Sequence, residues 1–214
     1  MHIYDSAIAN KQTAFDQLTE AKTWFASKGW FPATSGNLSI RIGNMEDGRF
    51  AFAVTASGKD KSVNTDEDYL VVDENSRPLE QTSLKPSAET LIHREIYRLT
   101  GCGAVYHVHT VFNNLASELF WEQRFIPVDG VELIKAFNIW EEEAVIRIPI
   151  LPNYAEIPRI VAQIADNIVS GIPGFVLHKH GVCAWGGNAF EAKRHLEAFE
   201  FLFEYVCRKQ QSGI

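Results

Sequence analysis

Apolar residues recur at two different spacings along the chain, and the spacing changes several times. Between residues 4 and 28 they fall every three or four positions, which predicts a helix that ends at Gly29. Residues 37–42 and 50–54 instead alternate between large apolar and smaller or polar side chains, with a turn at residues 44–48 between them. A period of two is typical of strands, so these two runs predict a β-hairpin.

The rest of the chain divides into further helices and strands joined by short turns. Helical spacing is found at residues 87–99, 111–120, 131–137, 157–169 and 189–209. Strand patterns are found at residues 69–72, 104–109, 145–151, 175–180 and 182–185. Because helices and strands are interleaved while several strands are linked by short turns, we predict an α/β fold with a mixed or mainly antiparallel sheet flanked by helices. No repeat or linker interrupts the pattern, so residues 1–214 are predicted to form a single domain.

The overall charge narrows the classes of ligand. A formal net charge of −7 argues against nucleic-acid and anionic-membrane partners, since both are bound through a basic face. An anionic substrate would therefore need a local pocket of N–H donors. The three cysteines form no C-x-x-C pair, no apolar run is long enough to span a membrane, and the N-terminus lacks a signal-peptide pattern. These features predict a cytoplasmic protein with reduced thiols.

A pair of histidines gives the strongest chemical signal. His107 and His109 lie in the predicted strand 104–109, and residues two apart in a strand point to the same face. Two neighbouring imidazoles, a third ligand and an open position are typical of catalytic zinc. A pair of hydrogen-bonded core histidines would explain the same spacing.

A second H-x-H pair, His178 and His180, closes another predicted strand and supplies candidates for the third ligand. His180 precedes Gly181, where a backbone can approach a site closely. The strand pattern alone leaves the choice between the two histidines open.

Three short segments rich in small and hydroxyl residues are candidates for anion binding: residues 34–37, 55–59 and 85–87. Such segments offer free backbone N–H groups and hydroxyls, although each alone is equally typical of a turn.

Two glutamates also stand out. Glu89 is expected in the first helical turn after Ser87, where its negative charge would also interact favourably with the helix dipole. Glu132 interrupts an apolar stretch, where a salt bridge with Lys135 would equally explain it.

Taken in chain order, the motifs T-S-G-N-L-S, T-A-S-G-K, K-P-S-A-E, H-V-H and H-K-H-G resemble the class II aldolase/adducin family. The resemblance extends over about residues 10–208. It implies a three-layer class II aldolase-like fold, in which helices flank a central, mainly antiparallel or mixed sheet. It also implies a homo-oligomer, usually a tetramer, with sites near subunit contacts.

The resemblance further implies roles for individual residues. One zinc ion (Zn2+) per subunit would be held by His107, His109 and His180. The substrate phosphate would be bound by Thr34, Asn37, Ser57, Gly58 and Ser87. The base of the aldolases falls on Glu89, and the acid/base residue of the dehydratases falls on Glu132. At Ala88 the chain lacks a serine that many sugar-phosphate aldolases have.

Within the family, residues 130–137 and 180–204 are most similar to a branch that acts on a methylthio sugar phosphate. The resemblance thus implies zinc-dependent dehydration of 5-methylthioribulose 1-phosphate in methionine salvage. A sugar-phosphate aldolase or pentulose-phosphate 4-epimerase is the first alternative, and a non-catalytic adducin-like interaction domain is the second. The uncharged methylthio group would need an apolar pocket, for which Phe112, Trp121 and Trp140 are candidates.

Overall fold

The computed structural model describes residues 3–213 and contains one eight-stranded sheet flanked by helices. The strands are β1 (Asn37–Glu46), β2 (Arg49–Thr55), β3 (Tyr69–Asp73), β4 (Ala104–Val108), β5 (Phe125–Asp129), β6 (Val145–Leu151), β7 (Gly174–Leu177) and β8 (Gly181–Gly186). The helices are α1 (Ile3–Ala9), α2 (Lys11–Ser27), α3 (Thr90–Thr100), α4 (Val111–Leu119), α5 (Ile157–Asn167) and α6 (Ala189–Ser212). Short 3₁₀ turns lie at Pro32–Thr34, Trp121–Gln123 and Glu132–Phe137.

The strand order places β4 in the middle of the sheet. The order is β3-β2-β1-β4-β8-β7-β6-β5, and β6 and β7 form the parallel pair in an otherwise antiparallel arrangement of the described strands. On β4, His107 lies opposite Asn37 of β1 on one side and Cys183 of β8 on the other. The C-terminal end of β4 therefore lies beside the N-terminal ends of both neighbouring strands, β1 and β8.

Helices cover both faces of the sheet, so the molecule has three layers. Two separate cores lie on the two faces, one beneath α1, α2, α4 and α6 and the other beneath α3 and α5. Along β4, Tyr106 and Val108 enter the first core and Val105 enters the second. His107 shares the face of Val105 and points toward the layer of α3. The predicted mixed sheet between helical layers is confirmed.

Several element boundaries differ from the sequence pattern. The N-terminal helix is interrupted at Asn10, which separates α1 from α2. Helix α3 begins at Thr90 with Glu89 as its N-cap residue, because Ser87 Oγ accepts the Glu89 backbone N–H ahead of the helix. The pattern did not predict strand β5, which is an edge strand of the sheet. An edge strand has only one neighbour, so it tolerates Pro127, which has no backbone N–H to donate.

The turn between β7 and β8 contradicts the predicted second H-x-H strand. β7 ends at Leu177, and Lys179 adopts a left-handed conformation with φ of 53°. This conformation breaks the alternation of a strand, so His178 and His180 do not share a face. His178 stacks on Trp121 with 3.9 Å between ring centroids, whereas His180 turns toward β4.

The longest helix, α6, has 24 residues and carries charged side chains along its length. Within residues 3–213, we find no helix that combines the length and apolar character needed to cross a membrane.

Candidate metal centre and adjoining cavities

Four side chains from three separate segments converge beside the C-terminal end of the central strand β4. They are Glu89 before α3, His107 and His109 at the end of β4, and His180 in the turn before β8. One potential ligand atom from each lies within 4.8 Å of the others. The Nε2 atoms of His107 and His109 are 2.8 Å apart, and His180 Nε2 is 2.9 Å from Glu89 Oε1. Three imidazoles and a carboxylate form a donor set that suits a divalent transition metal. We call these four residues the histidine cluster.

The protein fixes the orientation of the His107 ring. Its Nδ1–H donates to the backbone carbonyl of Val182 at 2.9 Å, so the Nε2 lone pair faces the cluster. A hydrogen bond at the ring nitrogen that points away from the metal sets the tautomer of ligating histidines. His107 is therefore prepared to act as a ligand through Nε2.

Burial controls the charge of the cluster. It lowers the pKa of His107 to about 4 and that of His109 to about 3, although the nearby Glu89 acts in the opposite direction. For Glu89, burial alone raises the pKa, but the imidazole of His107 and the hydrogen bond with His180 more than offset it, so the carboxyl pKa lies below its usual value. At neutral pH His107 and His109 are thus neutral and Glu89 is ionised, which are the states that bind metal.

Gly181 allows the two histidine segments to approach each other. A Cβ at this position would lie 2.8 Å from His107 Cε1, 2.7 Å from His109 Cδ2 and 2.5 Å from the carbonyl oxygen of Val108. The observed packing of the two histidine rings therefore requires glycine at position 181.

The beginning of α4 ties together the segments that carry the histidines. Asn114 Nδ2 donates to the carbonyl oxygens of Thr110 and His180, at 2.9 Å in each case. Ser117 Oγ accepts the backbone N–H of Lys179 at 2.9 Å. The residue after His109 and the turn that holds His180 are consequently anchored to the same helix.

Helix α6 supports this anchor through the buried carboxyl group of Glu200. It accepts hydrogen bonds from Thr110 Oγ1 at 2.6 Å and Asn113 Nδ2 at 2.8 Å. Burial raises the pKa of Glu200 to about 7, and these two hydrogen bonds only partly oppose the effect.

Glu200→Gln should remove a pH dependence of stability. Between the reference pKa of 4.5 and about 7, the folded protein keeps a proton that the unfolded chain has released. The wild-type free energy of unfolding therefore falls as pH rises through this window, by an amount on the order of 3 kcal/mol. A Gln side chain can accept from Asn113 and donate to Thr110 without titrating, so the variant's curve should be flatter by that amount. Urea denaturation at several pH values measures the difference. Asp166→Asn, which changes an exposed carboxylate on α5, should keep the wild-type slope. The same slope in Glu200→Gln would show that Glu200 is not responsible.

A polar cavity of about 150 Å³ adjoins the histidine cluster, with Glu89 and His109 in its wall. It is lined by four of the five residues expected to bind phosphate: Thr34, Ser57, Gly58 and Ser87. We call this space the polar cavity. Its hydroxyls and backbone N–H groups offer hydrogen-bond donors of the kind that an oxyanion needs.

Asn37, the fifth residue expected to bind phosphate, is almost fully buried and is not part of the lining of the polar cavity. Its Nδ2 donates to the carboxylate of Glu89 and lies 3.5 Å from Ser87 Oγ. Asn37 therefore positions Glu89 in this structure.

Lys61 also lines the polar cavity, and the sequence reasoning missed it. The residue is only 5% exposed, and its Nζ donates to the carbonyl oxygen of Thr34 at 2.8 Å. In the sequence, Lys59 and Lys61 belong to one polar loop, and no periodicity tells which lysine turns inward.

A larger and more apolar groove of about 570 Å³ also has His109 in its wall. Its apolar lining includes Trp30, Pro32, Val111, Phe112 and Phe201. We call this space the apolar groove. Of the three aromatic residues expected near a methylthio group, Phe112 lines the groove; Trp121 stacks on His178, and Trp140 is exposed beside Lys135.

Glu132 lies apart from the histidine cluster of its own chain. Its side chain is 83% exposed and pairs with Lys135 at 2.9 Å. It lines a separate cavity together with Gly130 and Ile139. Within one chain, the described residues thus bring Glu89 to the histidines and leave Glu132 elsewhere.

Comparison with known proteins identifies close relatives. Residues 16–207 match the family model described as the Class II Aldolase and Adducin N-terminal domain. The methylthioribulose-1-phosphate dehydratase of Bacillus subtilis is 50% identical, over 92% of this chain and 94% of that protein. The enzyme of the same name from Persephonella marina is 46% identical, over 92% of this chain and 90% of that protein.

Solved structures share the fold at lower identity. The L-fuculose-1-phosphate aldolase of Thermus thermophilus superposes with a TM-score of 0.68 at 22% identity, covering 94% of this chain and 97% of that chain. Another L-fuculose 1-phosphate aldolase gives a TM-score of 0.75 at 21% identity, covering 93% of this chain and 87% of that chain. With the family model matched over most of its length and with such similar relatives, the chain belongs to the class II aldolase and adducin family.

Proposed function

We propose that this protein removes water from 5-methylthioribulose 1-phosphate to give 5-methylthio-2,3-dioxopentyl phosphate, a step of methionine salvage. The observation that carries the proposal is that His109 of the histidine cluster lies in the wall of two unlike spaces, the polar cavity and the apolar groove. A ketose with a phosphate at one end and a methylthio group at the other matches one polar and one apolar space. The relatives named for this reaction cover most of the chain and add support.

In this arrangement each part of the substrate has a chemically matched surface. The phosphate would accept hydrogen bonds from Thr34, Ser57, Gly58 and Ser87 in the polar cavity. The methylthio group would lie in the apolar groove against side chains such as Phe112. The reacting carbons, C2 to C4, would then lie at the histidine cluster.

The donor set of the cluster suits zinc, because it combines neutral imidazoles with a carboxylate and a fixed His107 tautomer. We assign His107, His109 and His180 as the ligands, with Glu89 beside them. A bound zinc ion would supply Lewis acidity at the ketose oxygens and so stabilise the negative charge that develops when a neighbouring proton leaves.

The reaction removes the C3 proton and the C4 hydroxyl as one molecule of water. In our assignment the Glu132 carboxylate takes the C3 proton and Glu89 acts as its partner, orienting the hydroxyl groups. The C4–O bond breaks as Glu132 passes that proton to the C4 oxygen, water leaves, and the remaining enol tautomerises to the 2,3-diketone. Acid and base steps of this kind each contribute about 10²–10⁴-fold to a rate.

This assignment requires Glu132 to come from a second copy of the chain. Exposed apolar side chains on α4 and α6, including Val111, Leu119 and Phe201, offer surfaces for association. We therefore propose a homotetramer whose sites lie at subunit contacts. We also propose that it is cytoplasmic, in keeping with its reduced cysteines. The continuous sheet supports a single domain over residues 1–214 in each subunit.

The test incubates zinc-loaded protein with 5-methylthioribulose 1-phosphate and follows the products by NMR. Dehydration should yield the diketone in step with substrate loss, chelation should stop it, and added zinc should restore it. An aldolase would instead release glycerone phosphate and methylthioacetaldehyde, and a 4-epimerase would produce the C4 epimer. Either of these results, or no turnover with zinc bound, would refute the proposed reaction.

A further inference from the structure

We propose that Lys61 is the cationic partner of the substrate phosphate, so that the polar cavity selects a phosphate dianion by charge as well as by hydrogen bonds. This inference rests on the proposed function, because it assigns the phosphate end of the substrate to the polar cavity. Lys61 lies in the loop between β2 and β3 and lines the cavity beside Ser57 and Gly58.

The first argument is that the ammonium group is buried without a carboxylate beside it; the Phe31 ring, with its centroid 5.9 Å from Nζ, is an uncharged neighbour. Lys61 Nζ has three protons, and the hydrogen bond found for it goes to the carbonyl oxygen of Thr34. No carboxylate oxygen in residues 3–213 lies within the 4.0 Å that defines an ion pair with it. Burying a charge in this way is costly unless an opposite charge is supplied.

The neighbouring carboxylates are already engaged with other groups. Asp68 pairs with the buried Lys22, Asp60 accepts from Ser62, and Glu89 is in contact with His180. Burial lowers the pKa of Lys61, and the surrounding acids only partly reverse this. A bound anion in the polar cavity would supply the missing negative charge.

The second argument is the chemistry of the wall around Lys61. Ser57, Gly58 and Ser87 face the same space, and Ser35 Oγ, also in the lining, is buried without a hydrogen-bond partner among the described residues. Several hydroxyls and N–H groups around one cation match a tetrahedral oxyanion, which offers three oxygens for hydrogen bonding. In a chain with a net charge of −7, this local cation also opposes the general repulsion of an anionic substrate.

Lys61→Met is the decisive substitution, because it keeps most of the side-chain length and removes the charge. We expect its dissociation constant for inorganic phosphate, measured calorimetrically on zinc-loaded protein, to rise about 10- to 100-fold. The zinc content should stay at the wild-type level. With substrate, KM should rise by a similar factor while kcat changes much less. Lys59→Met removes a partly exposed lysine that pairs with Glu67 and does not line the cavity, and it should leave phosphate binding unchanged.

A purely structural role for Lys61 predicts a different result. Lys61→Met would then be less stable but would bind phosphate with wild-type affinity, and that affinity would overturn the proposal. If Lys61→Met does not fold, Lys61→Gln can still donate to Thr34 and should show the same loss of phosphate affinity; wild-type binding there also overturns it. Phosphate binding is measured without turnover, so failure of the proposed dehydration and failure of this inference give separate results.

Discussion

Gly181→Ala should bind the proposed zinc ion much more weakly while keeping its fold. The new methyl group would overlap the rings of His107 and His109, at 2.8 and 2.7 Å from the nearest ring atoms, and the carbonyl oxygen of Val108 at 2.5 Å. The rings have to move apart, and loss of ligand orientation at a metal site typically costs about 10–100-fold in affinity. We expect the upper end of that range, because two ligands are displaced at once. Zinc per chain after dialysis against a weak chelator measures the effect.

A matched glycine distinguishes this local effect from general damage. At Gly187, the nearest atom to an added Cβ is the end of the flexible Glu191 side chain, at 3.1 Å. Gly187→Ala should therefore retain zinc. Overpacking at Gly181 is expected to lower the free energy of unfolding by about 1–3 kcal/mol, which circular dichroism will follow. A Gly181→Ala protein with full zinc content and wild-type affinity would show that the rings do not depend on the glycine.

Glu132→Gln should lower turnover by at least about 100-fold with zinc content unchanged, because the proposed proton acceptor loses its charge. His109→Ala should be inactive for a different reason, since it lacks a proposed metal ligand. If Glu132 acts on the cluster of a neighbouring subunit, the two inactive variants can complement each other. Random 1:1 co-assembly would give about one quarter of the sites an intact cluster and an intact Glu132. Co-expression with two affinity tags yields the mixed oligomers for assay.

The control for this experiment is Glu142→Gln, which changes another exposed carboxylate near the same segment. It should keep wild-type turnover. Zero activity in the mixed oligomers would place Glu132 and the cluster of one chain in the same site, against the proposed arrangement. Wild-type turnover in Glu132→Gln alone would remove this glutamate from the chemistry.

The sequence predicted those features of the site that depend on local periodicity. A strand period of two places His107 and His109 together, and the structure confirms that they meet. The mixed sheet also followed from the alternation of helical and strand patterns. These predictions succeeded because the determining interactions connect residues close in sequence.

Other features depend on contacts that periodicity does not record. The left-handed conformation of Lys179 is held by Ser117, 62 positions away, and it separates His178 from His180. The inward turn of Lys61 depends on the carbonyl of Thr34, 27 positions away. Strand β5 gave a weak pattern because it lies at an edge and contains Pro127. The resemblance to the family, in contrast, singled out His180 as the third ligand, and His180 does reach the cluster.

The hydrogen bond from Asn114 to His180 spans 66 positions of the chain, and that from His107 to Val182 spans 75. An ion held by His107, His109 and His180 would therefore act as a removable cross-link between distant parts of the chain. A ligand that binds only the folded form, present at 1,000 times its dissociation constant, adds about 4 kcal/mol of stability. When zinc is scarce, the polypeptide should consequently become more susceptible to degradation, so that metal supply would govern how long each molecule survives in the cell.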